Sequence, residues 1–413
     1  MLKTLLAQVK QYKKSSLLTP LFAALEVVME VLIPFITAMI IDQGIEAGNM
    51  KKVGLYGSIM LVFAMFSLLF GVLAGKYGAN ASSGLACNLS DAMYENIQTF
   101  SFSNIDKYST AGLVTRMTTD VTNVQNAYQM ILRIAVRAPF TLICSMIMCF
   151  VINAKLSLIF VIAIIVLGAF IVVVVKTTMK IFDMVFKKYD ALNASVQENV
   201  SAIRVVKAFV REDYENKKFI TAAENVYKLF VKAEGILAFN GPVMMLVVYF
   251  CIICLSWFGA KFIVVGNMTT GELTSMFSYI MSILMALMML SMIFVMTTLS
   301  IASGKRIAEV LNDKADLVNP KNPIMEVKNG SIDFNHVEFT YNDEAEKDTL
   351  IDIDLHIHSG ETVGIIGGTG CGKSSLVNLI SRLYDVNEGS VLVGGKDVKE
   401  YDLEVLRNQV AVV

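Results

Sequence analysis

Six apolar runs, near residues 17–41, 55–74, 136–152, 156–175, 236–265 and 273–301, limit what this chain can fold into more than any other feature. Each is long enough to carry a helix across a bilayer, which takes ~20 residues, and the fifth and sixth are longer than needed. In hydrocarbon the backbone must satisfy its own N–H and C=O groups, so runs of this kind are read as helices. Composition agrees: 55% of residues are hydrophobic and 17% charged, against ~25% charged in a soluble domain. Pro34, Pro139 and Gly241-Pro242 are expected to kink or end helices locally. A formal net charge of −1 makes no electrostatic case for nucleic acid, and no nucleic-acid-reading motif is present. The six cysteines are scattered. Cys251 and Cys254 form a C-x-x-C inside an apolar run with no second pair, so neither a zinc site nor a disulfide framework is expected. The lysine-bearing, amphipathic N-terminus carries no cleavable signal pattern.

Lysine and arginine set the orientation. Lys3, Lys10, Lys13 and Lys14 share a side with Arg116, Arg133, Lys176, Lys187, Arg204, Lys207, Arg211, Lys305 and Arg306, whereas the other side has short loops with Lys51, Lys52 and Lys155. The first set is read as cytoplasmic. Its two long connections, 76–133 and 176–234, keep helical spacing: Val121, Val124, Tyr128 and Ile131 in one; Val196, Val200, Ile203, Val206 and then Phe219, Ala223, Val226, Phe230 in the other. Each is expected to be a helical hairpin reaching ~37 Å beyond the spans, at ~1.5 Å per residue. The turns are expected around Ser109–Gly112 and Arg211–Tyr214.

After Ser303 the pattern changes. Residues 1–312 read as a membrane domain, 313–330 as a linker with Asn319-Pro320-Lys321-Asn322-Pro323, and 331–413 as the first part of an α/β domain. Ile332, Phe334, Val337, Phe339 and then Leu350, Ile353, Leu355, Ile357 alternate as strands do. Thr362–Ile366 reads as a buried strand ahead of Gly367-Gly368-Thr369-Gly370-Cys371-Gly372-Lys373-Ser374-Ser375, and a helix follows. The middle stretch fits G-x-x-x-x-G-K-[ST] at every fixed position. Glycines let backbone N–H groups turn inward around phosphate oxygens, and a helix N-terminus adds donors and partial positive charge. Lys373 is expected on the β- and γ-phosphates and the Ser374 hydroxyl on Mg²⁺, with ATP as the nucleotide. Val410–Val413 reads as a last strand, and the domain is expected to be cut short there.

Six spans, two cytoplasmic hairpins and a C-terminal phosphate loop together resemble a bacterial ABC exporter half-transporter of the type 1 fold. The specific stretches are Thr115–Val121, Ile203–Phe209 and Val337–Tyr341. The run from Ser101 to Pro139 is similar to one subunit of the heterodimeric multidrug exporters. The resemblance implies that Tyr341 stacks on adenine and that the hairpin tips are coupling helices, the second docking on the partner subunit. It implies a dimer, favouring a heterodimer, in the bacterial inner membrane, exporting amphipathic drugs or lipids. The family's glutamine loop, signature sequence, Walker B carboxylate and switch histidine do not occur in the 413 residues. No catalytic residue is therefore assigned, and this polypeptide alone is expected not to turn over ATP. A dedicated lipid or peptide flippase, or a regulatory subunit that binds ATP without hydrolysing it, are the other readings.

Two constellations lie in the spans. Glu26 and Glu30 are four apart on one helical face, and an intramembrane carboxylate is costly. They either attract cationic substrates or form an ion pair, with Arg133 and Arg137 as candidate partners. Met281, Met285, Met288, Met292 and Met296 form a stripe on the sixth span. Methionine is flexible and polarizable, so the stripe lines a substrate cavity or packs against helices and lipid.

Overall fold

The structure is a computed structural model that describes residues 1–341 and 348–412. Its first eleven α-helices are α1 (Leu2–Ala7), α2 (Lys13–Ile40), α3 (Met50–Gln98), α4 (Phe102–Tyr108), α5 (Thr110–Thr115), α6 (Val121–Ile152), α7 (Ala154–Ser201), α8 (Ile203–Ala208), α9 (Glu212–Ala238), α10 (Asn240–Val264) and α11 (Thr270–Asn312). Among the described residues, six stretches of helix are long and apolar enough to cross a membrane. Helices α3, α7 and α11, with 49, 48 and 43 residues, outlast a bilayer. At 1.5 Å per residue they run about 65–75 Å, against about 30 Å of hydrocarbon.

The chain divides into two compact units that do not follow chain order. One is Val9–Leu85 with Gln125–Ile301. Its core joins Val27 and Val31 of α2, Cys149 of α6, Phe160 of α7, Cys251 and Leu255 of α10, and Met276 and Tyr279 of α11. Pro34 stays inside α2 and deprives it of a ladder bond. Two nearby carbonyls also accept from α11. The Tyr279 hydroxyl donates to Val31 O at 2.8 Å and the Ser275 hydroxyl to Pro34 O at 2.5 Å. Pro139 also lies within its helix, whereas Gly241-Pro242 falls in the first turn of α10, just after the break from α9. Leu61, Met65, Leu68 and Leu69 of α3 are exposed, as lipid-facing side chains are.

The other unit is Met1–Gln8, Ala86–Val124 and Ala302–Val413. It holds β1 (Ile332–Phe339), β2 (Leu350–Ile357), α12 (Lys373–Ile380), β3 (Glu388–Val393), β4 (Lys396–Asp397) and α13 (Leu403–Gln409). The sheet is antiparallel in the order β2-β1-β3-β4. The alternation in β1 puts Phe334, Val337 and Phe339 on the inner face, over Leu376 and Leu379 of α12. A bulge near His336, where φ is +45°, is closed by Gly389. A Cβ on Gly389 would come within 2.2 Å of His336 O, so only glycine fits.

Three expectations are corrected. Thr362–Ile366 is extended but forms no ladder, and Ile366 is 98% exposed. Val410–Val412 likewise forms no strand, and Val413 lies outside the described residues. The physical reason is shared: a strand needs a hydrogen-bonded neighbour, and none of the described strands pairs with either segment. The second hairpin turn also moves. At the first tip the chain does turn at Ser109, which ends α4 and caps α5 with φ +55°, its hydroxyl accepting from Gly112 N. At the second, Arg211–Tyr214 is not the turn: Glu212, Asp213 and Glu215 occupy the first turn of α9, where the helix dipole favours acids. The break is at Phe209–Arg211, with Val210 at φ +52°, and α8 precedes it.

Candidate functional site

The phosphate-type loop is positioned by the core beneath it. Leu376 and Leu379 anchor α12 under β1, so the loop at its N-terminus is held while its own residues stay exposed. Gly370 and Gly372 both have φ +83°, which L side chains rarely adopt. A Cβ on Gly372 would also meet Leu350 Cδ2 at 2.7 Å. The Lys373 ammonium donates to Gly367 O at 2.9 Å and Gly368 O at 2.7 Å, and lies 3.6 Å from Cys371 Sγ. A cation is thus stored inside a ring of backbone, on two carbonyls it can exchange for anionic oxygens. Ser374 is exposed at the loop's edge, and Ser375 is buried. Backbone donors, one ammonium and one free hydroxyl suit a polyphosphate that brings its own Mg²⁺. Among the described residues no cluster of His, Cys, Asp or Glu is grouped to hold a metal by itself.

Tyr341 is half exposed, and its hydroxyl donates to Ser375 Oγ at 2.9 Å. Its ring stands edge-on to Phe339, with centroids 4.7 Å apart, and to Tyr384, 5.0 Å apart. The Tyr341 aromatic is therefore tied to the residue two beyond the loop lysine. Tyr384 carried no sequence signal of its own, because it lies past the periodic part of α12 in a turn. That turn is fixed by two arginines. Arg382, buried with φ +49°, pairs with Asp385 at 2.8 Å, and Arg407 donates to Arg382 O at 2.7 Å. The Tyr384 hydroxyl donates to Asp106 Oδ2 of α4 at 2.7 Å. Burial first, and this bond to a carboxylate second, raise its pKa above the usual phenol range.

Helix α4 is also fastened to the end of α11. The last carbonyls of a helix lack intrahelical donors. Here the Asn96 amide, from α3, donates to Val310 O at 2.7 Å and, just past the helix, to Asp313 O at 2.9 Å, while the Asn104 amide of α4 donates to Lys314 O at 3.1 Å. Asp313 accepts from the Tyr108 hydroxyl at 2.6 Å and from Lys107 at 3.0 Å. The Tyr108 bond and then Lys107 hold the Asp313 carboxyl below its usual range, against the opposing effect of burial. Further back, Arg306 pairs with buried Asp120, and Arg116 pairs with Glu309 at 3.5 Å.

In the spans, Arg137 bridges both carboxylates, with 2.8 Å to Glu26 Oε1 and 2.8 Å to Glu30 Oε2. Arg133 instead approaches Gly75. Glu26 is buried against Gly71, and its Oε2 has no hydrogen-bond partner among the described residues; the Glu30 side chain is 50% exposed. Met281, Met285, Met288, Met292 and Met296 are all exposed on α11.

Comparison with known proteins fits this geometry. The family described as ABC transporter transmembrane region matches residues 16–288, and the family described as ABC transporter matches residues 350–413. The chain is 32% identical to the uncharacterized ABC transporter ATP-binding protein YfiB of Bacillus subtilis (strain 168), over 94% of this chain and 67% of that one. It is 32% identical to the uncharacterized ABC transporter ATP-binding protein Rv1273c of Mycobacterium tuberculosis (strain ATCC 25618 / H37Rv), over 100% of this chain and 71% of that protein. An ATP-dependent lipid A-core flippase of Hahella chejuensis (strain KCTC 2396) is 28% identical over 86% of this chain and 60% of its own length.

Proposed function

Since this chain belongs to the ABC transporter family, a multi-pass membrane family with an ATP-binding region, we propose that it is one half of an exporter that moves amphipathic lipids or drugs across the cell membrane. The observation that carries the reading is the glycine ring closed on the Lys373 ammonium, in the same chain as six apolar spans. When bound, Mg-ATP supplies the free energy of phosphoryl transfer. The chain's own part is to bind and orient. Gly367, Gly368, Thr369, Gly370, Cys371 and Gly372 present backbone donors. Lys373 would leave the carbonyls of Gly367 and Gly368 to neutralise phosphate. Ser374 would offer its hydroxyl to the metal, Ser375 backs the Tyr341 hydroxyl, and the exposed face of Tyr341 would take the base. ATP must bind the closed dimer more tightly than the open one to bias alternating access.

Lysine and arginine distribution supports a cytoplasmic loop and N-terminus in a bacterial inner membrane. The first-hairpin resemblance supports a heterodimer. The flippase relatives support lipids among the substrates. Two carboxyl groups, Glu26 and Glu30, face the one guanidinium of Arg137, which supports a preference of the cluster for cationic amphiphiles. If Glu30→Gln lowers stability without changing export of cationic dyes, the cluster is an ion pair only. Cysteines placed at Met285, Met288 and Met292 would react with polar reagents if these positions line a substrate cavity.

The experiment that tests the central reading is Lys373→Ala with nucleotide affinity and transport measured together. The expected result is at least a tenfold weaker ATP affinity, the worth of one charge-assisted contact, and no export. Unchanged affinity and unchanged export would overturn it. A lipid-translocation assay beside a dye-efflux panel separates the lipid from the drug reading.

A further inference from the structure

Between the loop and the first hairpin tip lies an unbroken set of contacts, and one residue sits at its centre. Ser375 Oγ accepts from the Tyr341 hydroxyl at 2.9 Å. The Tyr341 ring meets the Tyr384 ring edge-on at 5.0 Å. Tyr384 then reaches α4 twice, by its hydroxyl to Asp106 at 2.7 Å and by its ring to Phe102 at 6.1 Å. Phe339 braces Tyr341 and Tyr384 from the sheet, at 4.7 and 5.7 Å. Edge-to-face pairs of this kind have an orientation to lose. A ring laid on the open face of Tyr341 restricts that tyrosine, and the edge-on partner is restricted with it. The phosphate loop has no comparable contact with α4 among the described residues.

We propose that Tyr384 is a positioning residue that links the base-stacking face of Tyr341 to α4, so that the base, rather than the phosphates alone, tightens the hold on the hairpin tip. The proposal rests on Tyr341 being the base platform. Helix α4 is in turn fastened to the α11 end through Asn104 and Asp313. Base occupancy is thereby felt at the C-terminal end of α11.

The test is amide hydrogen exchange over residues 102–108 with the 413-residue chain in lipid nanodiscs, comparing ATP with inorganic tripolyphosphate. ATP is expected to slow α4 exchange by about tenfold, the scale of one hydrogen bond to a charged group. Tripolyphosphate, which fills the loop without a base, is expected to leave it unchanged. Tyr384→Phe keeps the ring and removes the bond to Asp106, and should abolish the ATP effect. Asp106→Asn should do the same while ATP affinity holds. Equal protection by tripolyphosphate, or full ATP protection in both variants, overturns the link and leaves the platform standing. Tyr341→Ala separates the two: unchanged ATP affinity in that variant would remove the platform, and the link with it.

Discussion

The two hairpin tips are built alike and finished differently. Each carries a short helix, α4 or α8, followed by a residue in the left-handed region, Ser109 or Val210. Polar groups of α4 are spent within its own unit: Asp106 on Tyr384, Tyr108 and Lys107 on Asp313, and Asn104 on Lys314 O. Around α8 the large side chains face outward, with Phe209 at 73% and Val210 at 81% exposed, and Val205 and Tyr214 exposed as well. Exposed apolar residues grouped at a tip, rimmed by Lys207, Arg211 and Glu212, have the composition of a docking surface. The contrast supports one tip serving this chain's own ATP-binding region and the other serving a partner's.

The largest effect is expected where the second tip is spoiled. Phe209→Asp combined with Val210→Asp should cost about 3 kcal/mol of docking, or about a hundredfold in export, on the scale of an interface anchor. ATP affinity of the isolated chain should not change. If both affinity and export survive, the tips do not divide the work as proposed. The next effect is at the first tip. Asp313→Ala strands the Tyr108 hydroxyl and frees Lys107. It should destabilise this unit by about 2 kcal/mol, the cost of unpairing a charged hydrogen bond. The same group predicts a pH response. Its folded pKa lies below the ordinary value of 3.8, so its contribution is present above 3.8 and is lost as pH falls through the lower folded value. Thermal unfolding in detergent from pH 5 to pH 2.5 would read a steeper acid loss in the parent than in Asp313→Ala. Parallel curves would show that the carboxylate adds nothing.

How much of this was legible beforehand differs between the tips and the loop. The phosphate loop could be read because its requirement is local: positive φ at Gly370 and Gly372 and a lysine at a set spacing. The spans were legible because hydrocarbon imposes length and polarity on them. The strands β1 and β2 showed through their alternation, since a one-residue slip would bury Asp333 or Asp352 in place of Phe334 or Ile353. Tertiary pairing was not legible. Thr362–Ile366 has the residues of a strand, yet a ladder depends on neighbours that an isolated segment does not reveal. The second tip was misplaced because acids that resemble a turn also open helices, as Glu212 does. Tyr384, Asp106 and Asp313 are far apart in sequence, and no spacing links them.

The smallest effect asks whether the first tip depends on the sheet beneath it or only on local contacts. His336, on β1 three residues before Phe339, lies 2.8 Å from Asp352 of β2 and is exposed. That bond first, and the charges of Asp352 and Asp354 next, raise its pKa above the ordinary 6.5. The sign follows from linkage: the pair's contribution is complete below 6.5 and disappears as pH rises through the folded value. A fully hydrated pair is screened, so no change in melting is expected. The shift itself is measurable by NMR of the His336 ring, which should titrate above 6.5 and return toward it in Asp352→Asn. Helix α4 exchange should be indifferent to this titration, because Phe339 reaches Tyr384 through the buried face while His336 and Asp352 sit on the open one. If α4 exchange instead follows the His336 titration, the first tip is governed by the whole sheet, and the contrast between the two tips has to be redrawn around β1.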